Sequence, residues 1–514
     1  MRIVVRSFRR LRAGGIWGED RREQTGMQME QISAGREVLE GAGAGSWSEL
    51  VDGLAALLKG FSRERVALGL EALVHALSFA PSAMEVDASL VEQVIAEIDA
   101  RLSDQMNAIM HYKDFRSLES AWRGMHFLVS RLRFSENIVV FLLNASKQDL
   151  LDDFEDASEI IYSGLYRHIY VEQYGQYGGT PVGAMLGLYE FGVTPQDMRL
   201  LTRISAVAAM AHAPFLGSAG KSFFSVTSWE ELPNIKDLGF VYDMPKFAAW
   251  RSFRESEDAR YCALLLPRFL LRAPYTPASS TVESFSFTED TSEPELSCWG
   301  SPCLALGDRL GESFAKYRWC VNIVGPEDGA VRNLPTYAFE SMDVIQKKIP
   351  LEVIVSEHRE FELSQLGFCA LAMLKGADSA AFLSASSCQR SMEDRAGENS
   401  ELVLSWNLSR QLPYMFLITR LAHYIKVIQR ENIGTWKGAK ELEREINAWL
   451  AQYVTVMNDP DKETRGRRPF NYAQVEVTGE DGSAGWYTVR LRVRPHFRYM
   501  GMHFTLALTG KLDR

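Results

Sequence analysis

Among the residues of this chain that could do chemistry, the most suggestive run is Phe215-Leu-Gly-Ser-Ala-Gly-Lys-Ser222. It ends like a phosphate-binding loop, but G-x-x-x-x-G-K-[ST] requires a glycine where Phe215 stands. Such a loop turns its backbone N–H groups inward after a strand, and the residues before this one, Arg203 to Ala213, read as helical. A nucleotide-dependent enzyme resting on Gly220-Lys-Ser222 stays a rival reading, tested by loss of ATP binding in Lys221→Ala. A second candidate is the segment Trp250 to Tyr261, where Glu255, Glu257 and Asp258 interleave with Arg251, Arg254 and Arg260. Paired carboxylates can do general acid/base work, but interleaved opposite charges more often form structural ion pairs.

Metal and nucleophile sets are equally thin. The nine histidines include no H-E-x-x-H; His358-Arg-Glu-Phe-Glu362 lacks the second histidine, and Cys298 and Cys303 lack a matching His or Cys pair. There is no G-x-S-x-G elbow, and Gly41-x-Gly43-x-Gly45 has neither the spacing nor the preceding strand of a dinucleotide site. The expectation is a protein without catalytic, cofactor or metal residues, and not an enzyme.

Composition narrows the class further. At 514 residues, 46% hydrophobic and 24% charged, the chain has room for about three globular domains. Its net charge of −10 repels a polyanion, and no basic patch is segregated outside the chain ends, so nucleic acid is not an expected partner. Six cysteines without C-x-x-C spacing fit reduced thiols and a cytoplasmic location. No run approaches about 20 uncharged apolar residues, so direct membrane insertion is not expected. Arg2, Arg6, Arg9, Arg10 and Arg12 are not followed by the apolar core of a signal peptide. The start reads as a disordered tail, with Met27 and Met29 as alternative starts.

The elements that must position any site follow from periodicity. Residues 1–45 read as a basic, Gly-rich tail and 46–89 as a helical segment opened by a Ser46/Glu49 capping box, with Trp47, Leu50, Leu54, Leu57 and Leu58 on its apolar stripe. Residues 90–385 read as a mixed α/β domain. Its helical block from Leu90 to Arg131 is followed by a buried strand over Asn137 to Leu143, an acidic helix over Asp149 to Arg167, a strand over Met185 to Phe191, a helix over Met198 to Ala213 and a strand over Tyr261 to Leu271. The polar run Ser384 to Ser400 marks a boundary, and 386–514 reads as an α+β domain of two helices, Arg410 to Arg430 and Lys440 to Val454, followed by three strands. The second helix has one apolar stripe and leaves Glu441, Arg444 and Glu445 facing out. The terminal strands would invite another chain at any unpaired edge.

The segment Trp250 to Tyr261, followed by Leu266-Pro-Arg-Phe-Leu-Leu-Arg-Ala-Pro-Tyr275, resembles the central signature of the TssC (VipB, EvpB) family, the large subunit of the type VI secretion contractile sheath. Asp114 to Gly124, Ala211 to Phe215, Glu360 to Phe368, Leu412-Pro-Tyr414 with Arg420 to Lys426, and Arg494-Pro-His496 are similar to the family in the same order, over roughly residues 90 to 510. Leu188, Cys298-Trp-Gly-Ser-Pro302 and Arg467-Arg-Pro-Phe470 depart from its pattern.

The resemblance implies a structural protein with a central α/β sheath domain and a gpW/gp25-like C-terminal domain. It implies heterodimers with a small sheath subunit (TssB, VipA) that stack with further copies into a helical tube around Hcp rings, on a baseplate, in a membrane-tethered cytoplasmic apparatus. Contraction would deliver effectors, and the AAA+ unfoldase ClpV would recycle the sheath. On this sequence, Val475, Val477, Val489, Leu491, Val493, Phe504, Leu506 and Leu508 would form the subunit-linking strands, and Glu441, Arg444 and Glu445 a tube-facing helix. Trp47, Leu50, Leu54, Leu57 and Leu58 would form the unfoldase-recognition helix. A non-contractile scaffold of a related assembly is the alternative.

Overall fold

The computed structural model describes residues 2–7, 51–52, 62–76, 88–174, 176, 178–277, 285–341, 344–374, 378–392, 400–432, 438–457, 459–479, 487–496 and 506–512. In chain order the elements used below are β1 (Arg2–Ser7), α1 (Arg63–Ala76), α2 (Ala88–Met110), α3 (Lys113–Arg131), β2 (Val139–Asn144), α4 (Lys147–Asp156), β3 (Val182–Phe191), α5 (Pro195–Ala211), β4 (Phe215–Ala219), α6 (Ala248–Glu255) and β5 (Cys262–Leu266). They continue with α7 (Pro302–Tyr317), β6 (Ala330–Val331), α8 (Glu357–Gln365), β7 (Phe368–Met373), β8 (Ala380–Phe382), α9 (Ser400–Ser409), α10 (Leu412–Asn432), α11 (Ala439–Ala451), α12 (Lys462–Arg467), β9 (Phe470–Gly479), β10 (Tyr487–Pro495) and β11 (Leu506–Leu512).

Two compact units emerge. One comprises residues 1–9, 119–272 and 299–514; the other comprises 10–118 and 273–298. The first is built on an eight-stranded sheet in the order β2-β1-β3-β4-β5-β7-β8-β6, parallel from β2 to β7 and antiparallel beyond. Successive strand residues point to opposite faces, and this period of two divides the strands between two cores. Cys262, Leu264, Leu266, Phe368 and Ala370 pack on one face with α5 and α6. Ala263, Leu265, Cys369 and Leu371 pack on the other with α3, α7 and the start of α10. A sheet buried on both faces needs near-continuous apolar strands, which is why Cys262–Leu266 is apolar throughout.

Local chemistry sets the helix ends. Ser146 and Asp149 form a reciprocal capping box that opens α4. Thr194 caps α5 with Pro195 at its first position, and Ser301 caps α7 with Pro302 in the same place. Both helices stop where the chain turns left-handed, at His212 (φ 51°) and Arg318 (φ 68°).

The structure departs from the sequence reading at four places. Arg2–Ser7, within the expected tail, is a strand that pairs parallel with both β2 and β3. The expected buried strand over Asn137 to Leu143 is β2, at the sheet margin, where Val139, Phe141 and Leu142 are exposed. Its apolar run resembled a core strand because periodicity reports apolarity and not whether a neighbour covers it. Phe215–Ala219 is a fully buried strand, hidden in the sequence by the helix that precedes it. The acidic helix closes at Asp156 and gives way to short turns and a π-turn over Arg167–Val171.

In the second unit, α2 and the first turn of α3 are stitched to the segment 285–298. Asn107 accepts a hydrogen bond from the Asp290 N–H at 3.1 Å, Arg116 donates to the Glu295 carbonyl at 2.8 Å, and the buried Glu289 carboxylate accepts from the Tyr275 N–H at 2.9 Å.

Candidate functional site

The C-terminal elements form a small α/β layer. β9, β10 and β11 make an antiparallel sheet in that order, with Val475 opposite Leu491, Val477 opposite Val489, and Leu491 opposite Leu508. Five of the eight strand residues singled out from sequence, Val475, Val477, Val489, Leu491 and Val493, are buried on one face. They pack against Ile446 and Leu450 of α11, Leu417, Leu421 and Ile425 of α10, and Trp319. Each such side chain contributes about 1.5–3 kcal/mol of burial. Leu506 and Leu508 lie on β11, opposite Val493 and Leu491. Phe504 lies outside the described residues.

The two edges of this sheet differ. Along the outer edge of β9, Asn447 of α11 accepts from the Val475 N–H and donates to the Val475 carbonyl, both at 2.8 Å, and Glu443 accepts from the Val477 N–H at 3.0 Å. Side chains of α11 thus satisfy ladder groups that a further strand would otherwise pair. The outer edge of β11 has no strand partner among the described residues. Sequence reading missed Asn447 and Glu443, because their role depends on the register of helix against strand.

α11 is oriented as its pattern predicts. Glu441, Arg444 and Glu445 are exposed, while Ile446 and Leu450 are buried. The Glu441 carboxylate also accepts from the Gly438 N–H at 3.3 Å, closing the helix start. Trp47, Leu50, Leu54, Leu57 and Leu58 lie outside the described residues; Val51 and Asp52, between them, are helical.

α10 joins this layer to the large sheet. Its basic side chains face inward: Arg420 lies 4.5 Å over the Phe314 ring, Lys426 about 5 Å over Tyr170 and Tyr174, and Arg430 donates to the carbonyls of Gln176 and Gly179. His423 is buried and donates to the Ala211 carbonyl at 3.1 Å. Trp319 adds edge-on ring contacts to Tyr453 and Phe470, at 5.2 and 5.8 Å.

The residues weighed for chemistry have structural employment. Gly220 follows β4 so closely against β3 that a Cβ there would lie 2.8 Å from the Phe191 carbonyl oxygen, and the Ser222 hydroxyl accepts from the Val193 N–H at 3.3 Å. In the Trp250 to Tyr261 segment the arginines mostly cap carbonyls instead of pairing with their neighbours in sequence. Arg254 is buried and donates to Cys388 and Gln365, Arg251 to Tyr242 and Met244, and Arg260 to Glu257; Glu255 pairs with the distant Arg390 at 2.9 Å. Burial first, then the neighbouring Arg410, lower the Arg254 pKa to about 10. All six cysteines are buried and reduced, and burial raises the thiols of Cys303 and Cys320 to about 11, which leaves little nucleophilic thiolate. No group of three or more metal-ligating side chains is assembled among the described residues. No described helix is long and apolar enough to cross a membrane.

Comparison with known proteins fits this architecture. Residues 92–389 match the family model of the EvpB/VC_A0108 tail sheath N-terminal domain, and residues 403–512 match its gpW/gp25-like domain. The chain is 36% identical over 461 residues to the type VI secretion system sheath protein TssC1 of Pseudomonas aeruginosa, covering 88% of this chain and 92% of that one. A chain of the anti-feeding prophage baseplate aligns over 73% of each chain at 9% identity, with a TM-score of 0.32, a likeness too weak to carry an argument. With both sheath domains matched in order and a relative this similar along nearly its whole length, the chain belongs to the TssC/VipB/EvpB family and is a structural large subunit of the type VI secretion sheath.

Proposed function

We propose that this subunit works by open-ended assembly: it pairs with a small sheath subunit of the TssB/VipA kind, and the pairs stack with further copies into a cytoplasmic helical tube around an Hcp-type inner tube. The observation that carries the proposal is an exposed apolar stripe on α2, where Ile98, Leu102, Met106 and Ile109 are each 37–49% exposed. At about 100° per residue these four fall within an arc of about 80°. A stripe of that kind is what a partner helix covers. The exposed Val139 and Phe141, on one face of β2, favour a partner face in the same way.

In this reading the free edge of β11 accepts a strand from a neighbour, since the edge of β9 is already capped by α11. Val475, Val477, Val489, Leu491, Val493, Leu506 and Leu508 are then the framework that holds the acceptor rigid. Glu441, Arg444 and Glu445 present charge to the inner tube, and the segment carrying Trp47, Leu50, Leu54, Leu57 and Leu58 is the handle for a ClpV-type unfoldase. Energy is stored in the extended polymer and no step is catalysed by this chain, so Lys221→Ala leaves assembly unchanged.

Electron microscopy of the chain co-expressed with the small subunit from its own genome tests the proposal. Cogwheel-ended tubules are expected, because heterologous contacts that do not close build filaments. Discrete particles of fixed size, with the small subunit bound, would establish the non-contractile scaffold instead.

A further inference from the structure

Away from the surfaces above, a cavity of about 380 Å³ opens between α3, α7, the loop before β6 and α12. Its wall carries five cationic side chains and three carboxylates. The charges do not cancel locally. Arg309, only 7% exposed, is spent on the buried Asp308 at 2.6 Å and on Glu312, and its Nε is buried without a hydrogen-bond partner. Lys462 is spent on Glu327 at 2.8 Å and Asp328 at 3.1 Å. Arg131 stands 3.7 Å from Asp308, already shared with Arg309, and directs its guanidinium to the carbonyls of Arg332 and Asn333.

That leaves Lys316 and Arg332, both exposed and without an ion pair within 4 Å among the described residues; they act on the Glu327 carboxylate only at longer range, its direct partner being Lys462. Cations of like sign gathered in a concave, polar site gain most from a multiply charged acceptor that several can share, and a guanidinium matches an oxyanion geometrically. Liquid water takes about 30 Å³ per molecule, so the cavity holds a phosphate-sized group with part of its hydration shell.

We infer that this cavity is a binding site for a compact oxyanion, phosphate or carboxylate, held chiefly by Lys316 and Arg332. Lys462 ties the site to α12, and Gly466 on the same helix sits where a Cβ would lie 2.5 Å from the Tyr317 ring. A bound anion therefore steadies α12, from the gpW/gp25-like region, against α7, from the sheath N-terminal region. The oxyanion can come free from solution or as a carboxylate on a second copy of this chain; only the second source rests on the assembly reading.

The test is titration of the unassembled complex of this chain and its small subunit with inorganic phosphate at constant ionic strength, chloride serving as the control ion. Calorimetry measures binding, and hydrogen exchange follows residues 459–468. Saturable binding is expected, with slowed exchange over α12, and at least a tenfold loss in a Lys316→Glu/Arg332→Glu variant whose melting temperature without phosphate is unchanged. If that variant still builds tubules, the ligand is the free ion. If tubule growth is lost as well, and phosphate competes with growth of the wild type, the ligand is a carboxylate of a neighbouring copy. No saturable phosphate binding by the wild type, or equal binding by the variant, overturns the inference and leaves the assembly proposal untouched.

Discussion

Substitution of Asn447 by alanine is the sharpest probe of the strand edge that this subunit protects. The side chain makes two neutral hydrogen bonds to the backbone of Val475, each at 2.8 Å. A net contribution of about 0.5–1.5 kcal/mol per bond puts the loss of local stability at about 1–3 kcal/mol. A mid-range loss of about 2 kcal/mol corresponds to about a 30-fold rise in the population of locally opened strand. Hydrogen exchange of the complex with the small subunit, read on a peptide covering residues 470–479, should therefore quicken about 30-fold around Val475. Peptides from β3 to β5 should not change. Asn447→Asp keeps an acceptor for the Val475 N–H and loses only the donor to its carbonyl, so it should give an intermediate effect. A freed edge also templates pairing between chains, so Asn447→Ala should form irregular aggregates alongside any tubules. Unchanged exchange over β9 in Asn447→Ala would refute the claim that α11 caps this edge.

Two further outcomes follow from the buried polar groups. Arg254→Met should orphan the buried carbonyl of Cys388 and the partly buried carbonyl of Gln365, now 3.1 and 3.0 Å from its guanidinium, at about 1–3 kcal/mol for the buried one; the melting temperature reports the loss. Burial lowers the pKa of His423 to about 3, against an unfolded value of about 6.5. Between those values the unfolded chain binds more protons, so stability rises with pH and is lost as pH falls below about 6.5, by up to about 1.4 kcal/mol per pH unit. His423→Gln should flatten melting curves collected from pH 7 to pH 5, and a slope identical to wild type would remove His423 as its source.

Elements whose reasons are local were legible in the residues alone. Ser146 with Asp149 and Thr194 with Pro195 start helices through bonds made within four residues, and the sequence reading finds both helices, opening them at Asp149 and Met198; α7, started by Ser301 with Pro302, it does not find. The period of the C-terminal segments placed Glu441, Arg444 and Glu445 outward and Ile446 and Leu450 inward, and the structure keeps that assignment. The signature runs carried the family, because a long ordered match needs no coordinates.

The remaining features rest on pairs distant in the chain, which come together only on folding. The apolar run of β2 became a sheet margin, and Arg2–Ser7 became its neighbour, through pairings separated by more than a hundred residues. Arg254 turned from an apparent ion-pair partner into a clamp on the carbonyls of Cys388 and Gln365, while Glu255 beside it pairs with the distant Arg390. The cap on β9 and the cationic cavity under α12 depend on how a helix is set against a strand or another helix, and no periodicity encodes that setting. Hydrophobic pattern reports which side of an element avoids water; what meets that side is decided by packing, where burial and hydrogen bonding must be satisfied together.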